Sequence, residues 1–139
     1  MKTVRLSCAH ALFKFLIAQK TIIDGKKVPL FPGAFAIYGH GNVACLGLAM
    51  EEFQSDLPCY RGHHEQSMAL SGIGYARAMR RKQIFIATSS SGPGAMNMVT
   101  AAGVALSNRL PLLLLPGDVF ASRFPDPVLQ QVENFNSPV

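Results

Sequence analysis

The chain has 139 residues, 49% apolar and only 15% charged, a length near the commonest domain size and a composition that excludes a disordered segment. So apolar a composition suits an α/β protein whose parallel strands are buried on both faces. Thirteen Lys and Arg outnumber eight Asp and Glu, but they are scattered from Lys2, Lys14 and Lys26 to Arg61, Arg109 and Arg123. The one run, Arg80-Arg81-Lys82, falls where a helix should end and offsets its dipole, so no nucleic-acid surface is expected.

In chain order, Ser7 can cap a first helix on which Ala11, Leu12, Phe15 and Leu16 form the apolar positions until about Gln19. Asp24-Gly25 turns the chain, and a second turn region at Pro29 and Pro32-Gly33 leads into a buried strand, Phe35 to Tyr38. Asn42 is read as the cap of a helix with Val43, Leu46, Met50 and Phe53 along one stripe. Pro58 to Arg61 reads as a short strand. The helix from Glu65 to about Arg81 places Met68, Ala69, Gly72, Ile73 and Ala76 on one face. Gln83 to Thr88 is a third strand, followed by the polar loop Ser89 to Gly94. The next helix is expected to bury Met96, Val99, Gly103 and Leu106 and to end near Asn108. Pro111 to Leu115 is a fourth strand, ending in Pro116-Gly117-Asp118, and from Ala121 the chain is proline-rich and poorly patterned.

Alternating strands and helices predict an open parallel sheet with helices on both faces, in which ligands bind outside the carboxyl ends of the strands. The loops after the strands are therefore the candidate site. The three cysteines, Cys8, Cys45 and Cys59, are odd in number and lack CxxC spacing, which predicts buried thiols in a reducing compartment. His10 and Lys14 interrupt the apolar N-terminal stretch, so no export signal is read there. Leu110 to Leu115 is far shorter than the roughly 20 residues of a membrane span. A cytoplasmic protein without membrane contact is expected.

Several chemistries fit poorly. Gly39-His40-Gly41-Asn42-Val43-Ala44 formally matches GxGxxA, but Tyr60, Arg61 and Gly62 stand where a dinucleotide fold wants an acid for the ribose. No lysine follows the glycines of Ser89 to Gly94, as a P-loop requires. His63 and His64 are adjacent, with no third ligand at a metal-binding spacing, so no metal site is predicted. No serine sits in a GxSxG elbow. Glu65 at a helix start is compatible with a purely electrostatic role.

Three motifs in order decide between these readings: His64-Glu65-Gln66 opening a helix, Gly74-Tyr75-Ala76-Arg77 near its end, and Ser91-Gly92-Pro93-Gly94-Ala95-Met96-Asn97 after the next strand. Together they resemble the acetolactate-synthase group of thiamine-diphosphate-dependent enzymes. Within that group the likeness is greatest to hydrolases that open a cyclic 1,2-diketone in inositol catabolism. It is carried by Tyr38-Gly39-His40-Gly41-Asn42, by the insert around Ile22 to Pro32, and by Pro125-Asp126-Pro127-Val128-Leu129-Gln130-Gln131. Acetolactate synthases have a proline-glycine loop where this chain has Gly-His-Gly-Asn.

The resemblance implies a pyrimidine-binding domain over residues 1–120, of flavodoxin-like strand order, and a linker or the start of a further domain over 121–139. It implies that Glu65 shares a proton with the aminopyrimidine ring of thiamine diphosphate and that His40 assists proton transfer or orientation at the substrate, a cyclic diketone. Gly39, Gly41, Asn42, Ser91, Gly92, Pro93 and Asn97 are the implied cofactor-binding residues, and His64 is a further candidate. Mg²⁺ and the diphosphate would be held by a GDG motif and paired asparagines on another domain. Here Gly117-Asp118 is followed by valine, and only Asn134 and Asn136 follow. The implied partners are that diphosphate-binding domain and further copies of the chain, so that alone the chain is expected to have no turnover.

Overall fold

The computed structural model describes residues 3–118 and Leu129. The expected linker from Ala121 lies outside the described residues, apart from Leu129.

Helix α1 (Cys8–Ala18) starts where Ser7 accepts the backbone N–H of His10, as the sequence predicts. Of the expected face it buries Leu16, but with Ala9 and Phe13 in place of Ala11 and Phe15, which is left 62% exposed. Strands β1 (Lys20–Ile23) and β2 (Lys26–Pro29) then form an antiparallel hairpin. Asp24 and Gly25, at φ of 50° and 77°, make the left-handed pair that a two-residue hairpin turn of type I′ needs.

The main sheet has four strands: β3 (Ala34–Ala36), β4 (Cys59–Arg61), β5 (Ile86–Ser89) and β6 (Leu113–Pro116). All pairings are parallel and the spatial order is β4-β3-β5-β6, the flavodoxin-like arrangement. Successive residues of β5 face opposite sides. Ile86 packs into one core with Phe13, Leu16, Met50 and Leu57, and Ala87 packs into a second with Ala69, Ile73, Met98 and Ala101. Helices therefore cover both faces of the sheet.

Between β3 and β4 the expected regular helix is broken. A π-helical turn, Val43–Gly47, precedes the short α2 (Leu48–Glu52), and the amide of Gly47 reaches back five residues to the Asn42 carbonyl. The wider turn shifts the helical phase, so Met50 is buried while Val43 is 48% exposed. Asn42 makes no side-chain cap on this segment.

Helix α3 (Glu65–Ala78) buries the five residues predicted for it. It stops three residues early because Arg80 and Arg81 adopt positive φ, with the Arg81 amide closing on the Ala76 carbonyl. The following helix is split into α4 (Pro93–Met96) and α5 (Val99–Asn108). Its face is the reverse of the expected one: Met98, Ala101 and Ala105 are buried, whereas Met96 and Gly103 are exposed, Val99 is 65% exposed and Leu106 81%. The cysteines are corrected as well, since Cys8 and Cys45 are exposed and Cys59 is half-buried, all as free thiols.

Candidate functional site

From β3 the chain crosses to β4 on one side, and the later strand β5 lies on the other. A crevice is expected where the order reverses, at the carboxyl ends of β3 and β5. Four connections meet around that point: Ile37 to Asn42, Gly62 to His64, Ser90 to Gly92, and Gly117.

Glu65 is the first residue of α3. Its N-cap His64 uses Nδ1 to accept the Ser67 amide at 3.3 Å, which fixes the helix start and hence the carboxylate. Asn97 donates its Nδ2 to Glu65 Oε2 at 2.8 Å, and the same nitrogen lies 3.4 Å from His64 Nε2. A β-carbon placed on Gly94 would stand 3.2 Å from Oε1, so a side chain there would crowd the carboxylate. One oxygen is thus tethered, and the other lies against a backbone kept bare. The carboxylate borders a cavity of about 780 Å³ with Ile37, Tyr38, Ser90, Pro93 and Asn97.

Beside this cavity lies a buried polar seam of Asn42, Thr88, Ser89, Ser90 and Ser91. The Asn42 carboxamide is 2% exposed and is engaged at both ends. Its oxygen accepts the Gly39 amide at 2.8 Å, and its nitrogen donates to the Ile37 and Ser89 carbonyls at 3.1 and 2.8 Å. Thr88 Oγ1 is a third, longer acceptor at 3.3 Å, while its own hydroxyl donates to the Leu115 carbonyl at 2.6 Å. The Gly117 amide donates to the Ser89 carbonyl at 2.8 Å. A β-carbon on Gly117 would meet that carbonyl oxygen at 3.1 Å and Asn42 Cβ at 3.3 Å.

Ser91 differs from its neighbours. Its hydroxyl is buried without a hydrogen-bond partner among the described residues, although a β-carbon on Gly41 would approach it to 3.2 Å. Orphaned buried hydroxyls are rare, and one facing a bare glycine beside a polar cavity suits a bound heteroaromatic or polar group. Gly92 follows at φ 60°, a value that favours glycine, and is itself buried.

The structure thus gathers Glu65, Pro93 and Asn97 around one cavity, keeps His64 behind it against Asn97, and sets Gly41, Asn42, Ser91 and Gly92 beside it. His40 is exposed on its turn, and neither it nor Gly39 borders the Glu65 cavity. Asn42, expected at the cofactor, has its polar atoms engaged within the protein. Among the described residues, no three His, Cys, Asp or Glu side chains are grouped so as to hold a metal ion.

Sequence reasoning passed over Tyr38, Ser90 and Gly94 as lining groups. Tyr38 held a signal, as the last residue of the strand expected from the sequence, although the observed β3 ends two residues earlier. Its hydroxyl donates to Met50 Sδ at 3.2 Å and lies 3.3 Å from Cys59 Sγ. Burial first, and then the contact with Cys59, pushes its pKa well above the ordinary phenol value, so it remains a protonated donor. Burial likewise raises the Cys59 thiol, against a smaller lowering by the Tyr38 hydrogen bond.

Comparison with known proteins agrees with this geometry. Residues 33–137 match the family described as thiamine pyrophosphate enzyme, N-terminal TPP binding domain, and the chain belongs to that family. Among curated proteins it is 55% identical over 134 residues to a 3D-(3,5/4)-trihydroxycyclohexane-1,2-dione hydrolase of Geobacillus thermodenitrificans, covering 96% of this chain and 21% of the relative. Proteins of the same name from Clostridium tetani and Listeria monocytogenes are 53% and 49% identical, over 96% and 98% of this chain and 21% of each relative. The chain therefore spans about a fifth of the length of the curated relatives it matches.

Proposed function

We propose that this chain supplies the pyrimidine-binding side of a thiamine-diphosphate-dependent hydrolase that opens the ring of 3D-(3,5/4)-trihydroxycyclohexane-1,2-dione in inositol catabolism. The observation that carries the reading is the Glu65 carboxylate, held by Asn97 through one oxygen while the other lies beside Gly94 at the rim of the cavity. The likeness to hydrolases of that name supports the substrate.

The domain's residues fit the cofactor's aminopyrimidine. Glu65 would hold or release a proton at its ring nitrogen, Pro93 and Asn97 would flank it, and the orphaned Ser91 hydroxyl would find a partner there. Gly39, Gly41 and Gly92 would permit close backbone approach. Thiamine diphosphate, once bound, supplies a nucleophilic carbon for cleavage of a bond next to a carbonyl. His40 would then act at the substrate, since an imidazole exchanges protons near neutral pH, and His64 would orient Asn97. Mg²⁺ would be bound by the diphosphate-binding portion of the enzyme. Docking of that portion, or of a second copy, on the outward side chains Met96, Val99 and Leu106 is supported by their exposure. The free thiols Cys8, Cys45 and Cys59 favour a cytoplasmic setting, and no described helix is long and apolar enough to cross a membrane.

The test joins this chain to the remaining portion of the Geobacillus relative, in place of the matching segment. The joined enzyme should consume the cyclic diketone and leave pyruvate untouched, and Glu65→Gln should lower turnover by about 10²–10⁴-fold. Undiminished turnover in Glu65→Gln removes the carboxylate from the mechanism, and consumption of pyruvate overturns the substrate.

A further inference from the structure

We infer that Asn42 is a positioning residue: its carboxamide locks the His40 turn onto the end of β5, and it acts through that turn rather than by touching cofactor or substrate. The inference rests on the reading of His40 given above and extends it to a residue outside the reacting groups.

The carboxamide is 2% exposed and bridges two loops on either side of the switch point. On its own side it takes the Gly39 amide at 2.8 Å and gives a hydrogen bond to the Ile37 carbonyl at 3.1 Å, bracketing the turn that carries His40. Across the crevice it gives a hydrogen bond to the Ser89 carbonyl at 2.8 Å. The role needs one acceptor and two donors on a short stem. Aspartate would present a carboxylate to two carbonyls, and leucine would take this partner from the Gly39 amide and the Ile37 carbonyl.

The two loops depend on this residue unequally. The β5 side has ties of its own, from the Gly117 amide to the Ser89 carbonyl and from the Thr88 hydroxyl to Leu115, and Glu65 is held independently by Asn97. The His40 turn is also closed by the amides of Asn42 and Val43 on the Gly39 carbonyl, at 3.1 and 3.0 Å, and the carboxamide adds bonds to both sides of that closure. Loss of the carboxamide should therefore loosen Gly39 to Gly41 and leave Glu65 in place.

The experiment compares Asn42→Ala and Asn42→Asp, which keeps the acceptor and loses both donors, with His40→Ala and the His40→Ala/Asn42→Ala pair. In the 139-residue chain, amide hydrogen exchange should quicken at residues 39–43 and stay unchanged at the start of α3. In the joined enzyme, each Asn42 variant should lose turnover by about 10²-fold. Hydrogen–deuterium exchange at the cofactor's reactive carbon, which reports on Glu65, should persist. The double variant should fall no lower than His40→Ala. Additive losses, equal loss of cofactor exchange and turnover, or unchanged amide exchange at 39–43 would overturn the positioning role. Full activity in His40→Ala would overturn the assignment of His40 itself, and if Asn42→Ala still lost turnover in that background, transmission through His40 would fall with it. If Asn42→Ala does not fold, Asn42→Asp carries the same comparisons.

Discussion

The two ends of the parallel sheet are built on opposite principles. Towards the amino ends, Phe85 packs against Phe35 and Tyr75 with ring centroids 4.8 Å apart in each pair, and Gly33 is bare because a β-carbon there would come within 2.8 Å of the Phe85 ring. At the carboxyl ends the buried space is filled instead by an asparagine, a threonine and three serines, one of them with an unpaired hydroxyl. Aromatic packing buries large apolar area and lowers the free energy of folding, whereas a buried hydrogen-bonded polar group returns only about 0.5–1.5 kcal/mol and an unpaired one costs stability. The contrast accords with the rule that ligands of open parallel sheets bind at the carboxyl ends of the strands.

The sharpest way to break that contrast is at Phe85. Phe85→Ala should cost about 3–5 kcal/mol of unfolding free energy in a denaturant titration of the chain. A loss under about 1 kcal/mol would mean that the aromatic cluster does not hold the fold. Thr88→Val keeps the shape but removes the hydroxyl that donates to Leu115 and accepts from Asn42, and should cost about 1–3 kcal/mol in the same measurement. Ser91→Ala should behave differently from its neighbour. Removing an orphaned hydroxyl should leave the chain as stable as before or up to about 1 kcal/mol more so, while thiamine diphosphate titrated into the joined enzyme binds more weakly. Clear destabilisation by Ser91→Ala would show that the hydroxyl is satisfied within the domain. The smallest stability effect is expected at Leu106→Lys, within about 0.5 kcal/mol for so exposed a side chain. Its consequence should be seen in sedimentation of the joined enzyme, as weakened association.

The parallel sheet and the buried face of α3 were legible in the alternation of short β-rich runs with helical segments, whereas the strand order came from the family resemblance. Motif order singled out Glu65 and Asn97, which the structure joins by a hydrogen bond, but not the bare Gly94 beside them. The failures have a common cause. α1 and α5 are apolar on more than one face, so periodicity offers two stripes in each and packing chooses between them: Phe13 over Phe15, Ala101 and Ala105 over Val99 and Leu106. The π-helical turn after Asn42 could not be read, since its sequence is that of an ordinary helix start. Asn42 was read as a cap because Asn favours that place, but the same short amide serves a longer-range bond when a strand end passes nearby. Asp24-Gly25 carried the hairpin signal, and the flanking strands follow from it.

The family match begins at residue 33, but the physical unit begins earlier. Phe13 is wholly shielded, in one cluster with Met50 and Leu57, and the Gln83 side chain donates to the Pro29 carbonyl across the entry to the sheet. A shortened version trimmed to the conserved-domain limits would open a greasy socket over one flank of the sheet and cut that anchor. Anyone expressing the domain in isolation should therefore retain the segment from Ser7 onward, because the border of the family match at residue 33 cuts through a hydrophobic core.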